Sequence, residues 1–449
     1  MTYADRSNSA LLGQQQRRES NARSYPRSLK FAIKRARGAV IEDMDGNEYL
    51  DCLAGAGTLA LGHNHPVVTE AIEAHLARDS PMHTLDVTTP AKERFADSLY
   101  DSLPSEFASR AKVQFCSPAG TDAIEASMKL VKTATGNEGM LSFQGGYHGM
   151  SQGALSLTGD RGAKDDVGGL LPYVHHLPFP ANYRPPFGLG GETEWRANAD
   201  YLENLLADPK SGLTEPAGMF LEVVQGEAGS RPAPHEWVRE VRRLTREHNI
   251  PLIVDEIQTG LGRTGSMFAF EAADITPDVV TLSKAIGGGL PIAVVCYDES
   301  LDQWEPGAHA GTFRGNQLAM AAGSATIDYI LDNDLDDHAA RMGSRLHDAL
   351  SDLLRYDCVG DVRGRGLMLG VEFVEPDESG GPHPPDGDLA AAVQQACLDR
   401  GLVIETGGIN SATARFLPPL IVTRGQVDEI AARFTEAVHA VIEEQEAAA

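Results

Sequence analysis

Positive charge is scarce in this chain of 449 residues: 38 Lys and Arg stand against 64 Asp and Glu, a net charge of −26, and only nine of the cations are lysines. No Lys/Arg-rich block gathers them into a basic face, so a phosphate backbone would be repelled and nucleic acid is excluded as a partner. Long apolar runs are missing as well. No uninterrupted stretch reaches the roughly 18 residues that a membrane span requires. The opening from Met1 to Ser28 is polar and has no signal-peptide core, so a soluble, cytoplasmic protein with no membrane partner is expected. Cysteine is sparse: Cys52, Cys116, Cys296, Cys358 and Cys397 are scattered, with no CxxC pair. Neither a disulfide framework nor a thiolate metal site is implied, and no metal is expected. They read as small buried apolar residues.

What is present can build a large core: 42% of residues are hydrophobic and 46 are Gly, and the length suggests two or three domains. Residues 1–28, with Gln14-Gln15-Gln16-Arg17-Arg18, hold little that packs, so the first dozen are expected to be mobile. From Val40 to Leu53 a turn at Asp45-Gly46 separates two alternating runs, a hairpin. Apolar runs at 112–116, 218–224, 251–255, 279–282 and 292–296 resemble strands of a parallel sheet buried on both faces, with helix patterns at 120–134 and 236–248 between them. This is an α/β chain. Residues 160–195, rich in Gly, Pro and aromatics, are too long for a plain connector and suggest a functional loop near a pocket. A helix over 316–332 leads to a second α/β unit, with helices at 335–355, 388–399 and 425–445, strands near 359–374, 402–405 and 414–417, and a surface insert at 380–387.

Asp255 ends the apolar run Ile253-Val254-Asp255, where open α/β sheets meet their ligands. On its own it could equally be a helix cap. Farther on, Ser283-Lys284-Ala285 closes another apolar strand before Gly287-Gly288-Gly289. A lysine there is costly unless neutral or bonded, and the glycines would clear space for a planar ligand. Both facts fit a Schiff-base lysine. A pyridoxal-type cofactor needs an amine, a carboxylate for its ring nitrogen and a phosphate cradle. The cradle can be Ser117-Pro118-Ala119-Gly120-Thr121 at a strand-to-helix turn. Tyr147, in Gly145-Gly146-Tyr147-His148-Gly149, could stack on a ring. Glu227 and Arg415 sit in apolar company, and an arginine so placed suits a substrate carboxylate, or else a buried ion pair.

Thr121, Tyr147-His148-Gly149, Glu222 with Glu227, the run from Asp255 through Gln258 and Gly260 to Arg263-Thr264-Gly265, Lys284, and Thr312-Phe313-x-Gly315-Asn316 together resemble the class III (ω-amino acid) aminotransferases. The likeness spans roughly residues 20–440 in collinear order. It implies fold type I, a large mostly parallel-sheet domain plus a smaller α/β domain, and pyridoxal 5'-phosphate as cofactor. The expected division is 1–85 as an N-terminal segment joining the small domain, 86–315 as the cofactor domain and 316–449 as the small domain.

Glu19 to Arg27, Leu53 to Pro66 and Thr312 to Gln317 most resemble the branch of the family that uses diaminobutyrate and 2-oxoglutarate. The resemblance implies that Lys284 holds the aldehyde and moves the proton and that Asp255 pairs with the pyridinium. Gln258 would touch the ring oxygen, Tyr147 would stack, and Gly120 and Thr121 would hold the phosphate, with His148 and Glu222 in the cofactor set. Thr312 would reach the neighbouring subunit's phosphate, so a homodimer or dimer of dimers is implied. Arg415 would bind a substrate carboxylate, with Glu227 covering it when a diamino acid is bound. Ornithine-type relatives carry an arginine just after the aromatic-x-Gly segment, whereas this chain has Met150. Other ω-amino donors, and a semialdehyde aminomutase, remain open at this point.

Overall fold

The computed structural model describes residues 6–376 and 382–448, which leaves Gly380 and Gly381 of the insert outside the described residues. Of the first dozen residues, 1–5 lie outside the described residues, and from Asn8 the chain forms helix α1, Asn8–Arg18, where a mobile segment was expected. Its anchor is Asn8, whose side chain donates to Asp43 Oδ2 at 2.8 Å and accepts from Ala32 N at 2.8 Å. Polar composition concealed that docking because a single amide does the work. Strands β1 (Ile33–Arg37), β2 (Val40–Asp43) and β3 (Glu48–Asp51) run antiparallel, with the turn at Asp45-Gly46 and Gly46 at φ +90°.

Helices α2 (Pro66–Leu76), α3 (Pro90–Ser102) and α4 (Ser105–Ala108) lead into β4 (Ala111–Cys116) and α5 (Gly120–Thr135). Then follow β5 (Gly139–Phe143), α6 (Gln152–Leu157), β6 (Val174–Leu177), α7 (Gly191–Ala207) and β7 (Pro216–Leu221). A small hairpin of β8 (Val224–Gln225) and β9 (Arg231–Pro232) precedes α8 (His235–Glu247), β10 (Leu252–Asp255), β11 (Val279–Leu282) and β12 (Ala293–Asp298). The central sheet has seven strands in the order β4-β12-β11-β10-β7-β5-β6. All run one way except β12, antiparallel to both β11 and β4. Its apolar run reads as parallel, but the short link through Gly287-Gly288-Gly289 leaves no length for a crossover, so the chain folds straight back. α8 buries Trp237, Val238, Val241 and Leu244 on one face, as helical spacing requires.

Helices α9 (Gln317–Asp332) and α10 (Leu335–Ser351) lead to β13 (Val359–Arg365) and β14 (Met368–Phe373). α11 (Gly387–Asp399), β15 (Leu402–Val403), β16 (Glu405–Gly407), β17 (Thr413–Phe416) and α12 (Arg424–Ala448) complete the chain. The second sheet is antiparallel, β13-β14-β17-β16, with Glu405 paired to Arg415 and Gly370 also facing Arg415. β15 pairs in parallel with β3, tying the C-terminal part to the N-terminal sheet. α9 packs along α2 and α3. The 160–195 segment is not one loop: it contains β6 and the start of α7.

Candidate active site

The C-terminal ends of β10 and β11 lie side by side, because Asp255 pairs in register with Thr281. Asp255 is buried, and its Oδ1 accepts from Ile257 N at 3.1 Å and Thr281 Oγ1 at 3.3 Å. Its Oδ2 meets His148 Nδ1 at 2.8 Å. Burial disfavours the charged imidazole, but the hydrogen bond and charge of Asp255 outweigh it and raise the His148 pKa. Glu222, just past β7, accepts from Tyr147 N at 2.7 Å and Gly226 N at 3.0 Å. Burial pushes its carboxyl up to about 7, with the charge of Asp255 adding to the effect and His148 opposing it. His148 thus backs Asp255 within this cluster, and Glu222, at about 7, is close to half protonated near neutrality.

Lys284 follows β11 with φ +47°, in the left-handed region that costs a non-glycine residue about 1–3 kcal/mol. Its ammonium forms no hydrogen bond or ion pair among the described residues, although it lines the cavity. Burial lowers its pKa, against the pull of Glu227 and Asp255. An unpaired amine of depressed basicity is a nucleophile in waiting. The glycines beyond it do not clear room for a ligand, as the sequence suggested. A Cβ on Gly288 would lie 2.6 Å from Thr326 Oγ1 and 2.8 Å from Ala322 O, so the run admits the close approach of α9.

Across the cavity α5 begins at Gly120 with no side-chain cap on Ala119, leaving N–H groups of its first turn aimed at the cavity end. Thr121 Oγ1 is 2.5 Å from Ser151 Oγ, which in turn donates to Glu125 Oε1 at 2.5 Å. Gly149, at φ +125°, is required here: a Cβ would sit 2.7 Å from Thr121 Oγ1. The turn therefore fits a dianionic group, and the carboxylate of Asp255 and the amine of Lys284 fit a protonated ring nitrogen and an aldehyde.

At the opposite end Arg415, fully buried in β17, is held by two carboxylates: Nη1 lies 3.0 Å from Glu227 Oε1 and 3.3 Å from Glu405 Oε2. Its Nη2 donates to Gln258 Oε1 at 3.1 Å, Gln258 Nε2 reaches Ala56 O at 3.2 Å, and Arg415 Nε has no partner. Burial raises the Glu405 pKa and Arg415 opposes it, while Tyr25 hydrogen-bonds the Glu405 carboxylate. Glu405 and Tyr25 escaped the sequence reading. For Glu405 a signal existed: residues 405 and 415 are equally spaced about Asn410, as partners in a hairpin must be.

A cavity of about 260 Å³ brings Lys284, Asp255, Gly120, Thr121, Tyr147 and His148 together with Glu222, Glu227 and Gln258. Met150 stands at its edge, largely exposed. Arg415 lies behind Gln258 and Glu227, outside the cavity lining. Thr312 is exposed in the turn Thr312–Gly315 and does not line this chain's cavity. The chain is 54% identical to a diaminobutyrate–2-oxoglutarate aminotransferase of Rhizobium meliloti over 94% of its length and 91% of that protein. A Haemophilus influenzae protein of the same name is 47% identical over 96% of this chain and 95% of its own. Among solved structures, an amine transaminase from an uncultivated Pseudomonas species in its PLP-bound form superposes with a TM-score of 0.84 at 27% identity, covering 94% of this chain and 98% of that one. The family model for class-III aminotransferases matches residues 21–438. An unpaired lysine and a histidine-backed aspartate at adjoining strand ends therefore sit within a chain that belongs to the class-III aminotransferase family.

Proposed function

We propose that this enzyme moves the 4-amino group of L-2,4-diaminobutyrate to 2-oxoglutarate, reversibly, giving L-aspartate 4-semialdehyde and L-glutamate. The cofactor is pyridoxal 5'-phosphate, which when bound supplies the aldehyde that accepts the amino group and the electron sink that eases proton removal. On this reading Gly120 and Thr121 would hold the phosphate and Asp255, steadied by His148, would keep the ring nitrogen protonated. Tyr147, its backbone fixed by Glu222, would stack on the ring, and Gln258, bonded to Arg415, would touch the ring oxygen. Lys284 Nζ would hold the aldehyde between turnovers and would move the proton between the substrate's amine-bearing carbon and the former aldehyde carbon.

The observation that carries the choice of donor is the stoichiometry around Arg415: one guanidinium against two carboxylates, Glu227 and Glu405. A region with surplus negative charge accommodates the second ammonium of a diamino acid. In the other half-reaction Glu227, whose side chain is 40% exposed, swings away and frees Arg415 for the α-carboxylate of glutamate. Glu405, held in β16 and only 15% exposed, stays. Product analysis tests this: beyond the single equivalent per enzyme that the first half-reaction releases, semialdehyde and glutamate should accumulate in equal amounts and only when 2-oxoglutarate is added. Sustained semialdehyde formation without it, or an isomerised amino acid, overturns the reading.

We further propose the division into 1–85, 86–315 and 316–449, a cytoplasmic location and a homodimer. No helix among the described residues is long and apolar enough to cross a membrane. Support for the dimer is the exposed apolar group of Met82, Leu85, Val87 and Phe313, where residues 82–84 bond to 315–317 beside the exposed Thr312. A second subunit would cover it and take Thr312 to its own phosphate site.

A further inference from the structure

A second cavity, of about 240 Å³, lies beyond the wall of the first. The wall is the turn from Gly226 to Ser230, closed by bonds from Gly229 N and Ser230 N to Gly226 O at 3.0 and 3.1 Å. Glu227 faces the reaction cavity, whereas Ala228 and Arg231 line the second one. Part of the Gly- and Pro-rich segment that the sequence marked as a functional loop, residues 181–184, lines this cavity and not the first.

In a chain so short of cations, three arginines gather here: Arg184, Arg231 and Arg363, against Asp361 and Glu372. Both carboxylates are already engaged. Glu372 takes Arg184 Nε and Arg363 Nη1, each at 2.6 Å, and Asp361 takes Arg363 Nη1 at 3.0 Å. Arg363 spends its remaining donors on Gly229 O at 2.8 Å and Thr413 Oγ1 at 3.1 Å. The Arg231 side chain forms no hydrogen bond or ion pair among the described residues, and the Phe179 ring lies 5.9 Å from its guanidinium. Burial and then the charge of Arg363 bring its pKa down to about 10, so it remains charged at neutral pH. Its guanidinium therefore keeps its donors free for a ligand, and its planar fork matches a carboxylate or phosphate bidentately.

We propose that this cavity binds a small oxyanion, a carboxylate or a phosphate, on Arg231, as a site separate from the reaction cavity. Arg184 and Arg363, held rigid by Glu372, add positive field without giving up their own partners.

The test is calorimetric titration of the cofactor-loaded enzyme with inorganic phosphate and, separately, with succinate, in wild type, Arg231→Gln, Arg231→Lys and Arg415→Ala. At least one anion should bind the wild type, about tenfold or more weaker in Arg231→Gln, which loses a charge-assisted pair. Arg231→Lys, which keeps the charge but not the fork, should bind with intermediate affinity and carries the test if the glutamine variant does not fold. Arg415→Ala should bind as wild type. Tighter phosphate points to a phosphoryl-bearing ligand, and tighter succinate to a carboxylate metabolite. The proposal fails if neither anion binds the wild type at about 10 mM, if Arg231→Gln and Arg231→Lys bind as wild type, or if Arg415→Ala abolishes binding, which would put the ion in the reaction cavity.

Discussion

Replacing Lys284 with Ala removes the only amine that lines the cavity among the described residues, so turnover should fall to a trace while the fold survives. Absorbance of the bound cofactor and a steady-state assay check this together, and substantial residual turnover would take Lys284 out of the reaction. Asp255→Asn should retain the cofactor but lose about 10²–10³ in kcat, the size of a deleted electrostatic stabiliser, since an amide does not hold a ring nitrogen protonated. Glu405→Gln leaves Arg415 with one counter-ion. The ratio of kcat/KM for diaminobutyrate to that for glutamate should therefore drop by about tenfold, as the surplus negative charge goes. An unchanged ratio would mean Glu405 merely packs. Asp255 and Lys284 were legible in the sequence because each closes an apolar run at a strand end, where chemistry and position coincide. Tyr25 was not, because its role depends on a side chain reaching across from a segment with no periodicity.

At the scale of elements, Glu256 ties β10 to the segment at 268–270. It is buried, accepts from Phe270 N at 3.2 Å and from Thr259, and burial pushes its carboxyl up to about 8 from 4.5. The folded state then holds a proton that the unfolded chain releases above about pH 4.5, so this group stabilises the fold less and less as pH rises from about 4.5 to 8, and is constant beyond. Glu256→Gln should remove that decline. Thermal midpoints of the two proteins measured across this window should converge toward acid and diverge toward alkali, with the variant higher; parallel curves would contradict it. Gly288→Ala, at φ +58° and against Thr326 and Ala322 of α9, should cost about 2–4 kcal/mol in denaturant unfolding. The glycine run was visible in the sequence, but its purpose was not, because helix-to-turn approach is a tertiary fact. For the same reason α1, α2 and α3 were unread: they are short, started by the cap Ser7, by Pro66 in the first turn and by the cap Thr89, and gain their stability from what they pack on. Five strands of the central sheet, by contrast, announced themselves by continuous apolar runs, while β5, β6 and the direction of β12 were hidden.

For the whole molecule, a net charge of −26 predicts self-repulsion that salt screens. The thermal midpoint should rise from low salt toward molar KCl, and a flat or falling midpoint would show that the acidic surface is already compensated. The proposed site draws on both sheets: the ends of β10 and β11 carry Asp255 and precede Lys284, and the hairpin of β16 and β17 brings the pair Glu405 and Arg415. On that proposal specificity depends on how the two sheets are placed, and no single motif encodes it. The most direct test of the account is single-turnover conversion of the bound cofactor, followed by its absorbance, with diaminobutyrate, ornithine, acetylornithine and 4-aminobutyrate as donors. Diaminobutyrate should be at least about tenfold more efficient than each of the others; if any of them exceeds it by that margin, the assignment of donor is wrong and the surplus charge around Arg415 serves another substrate.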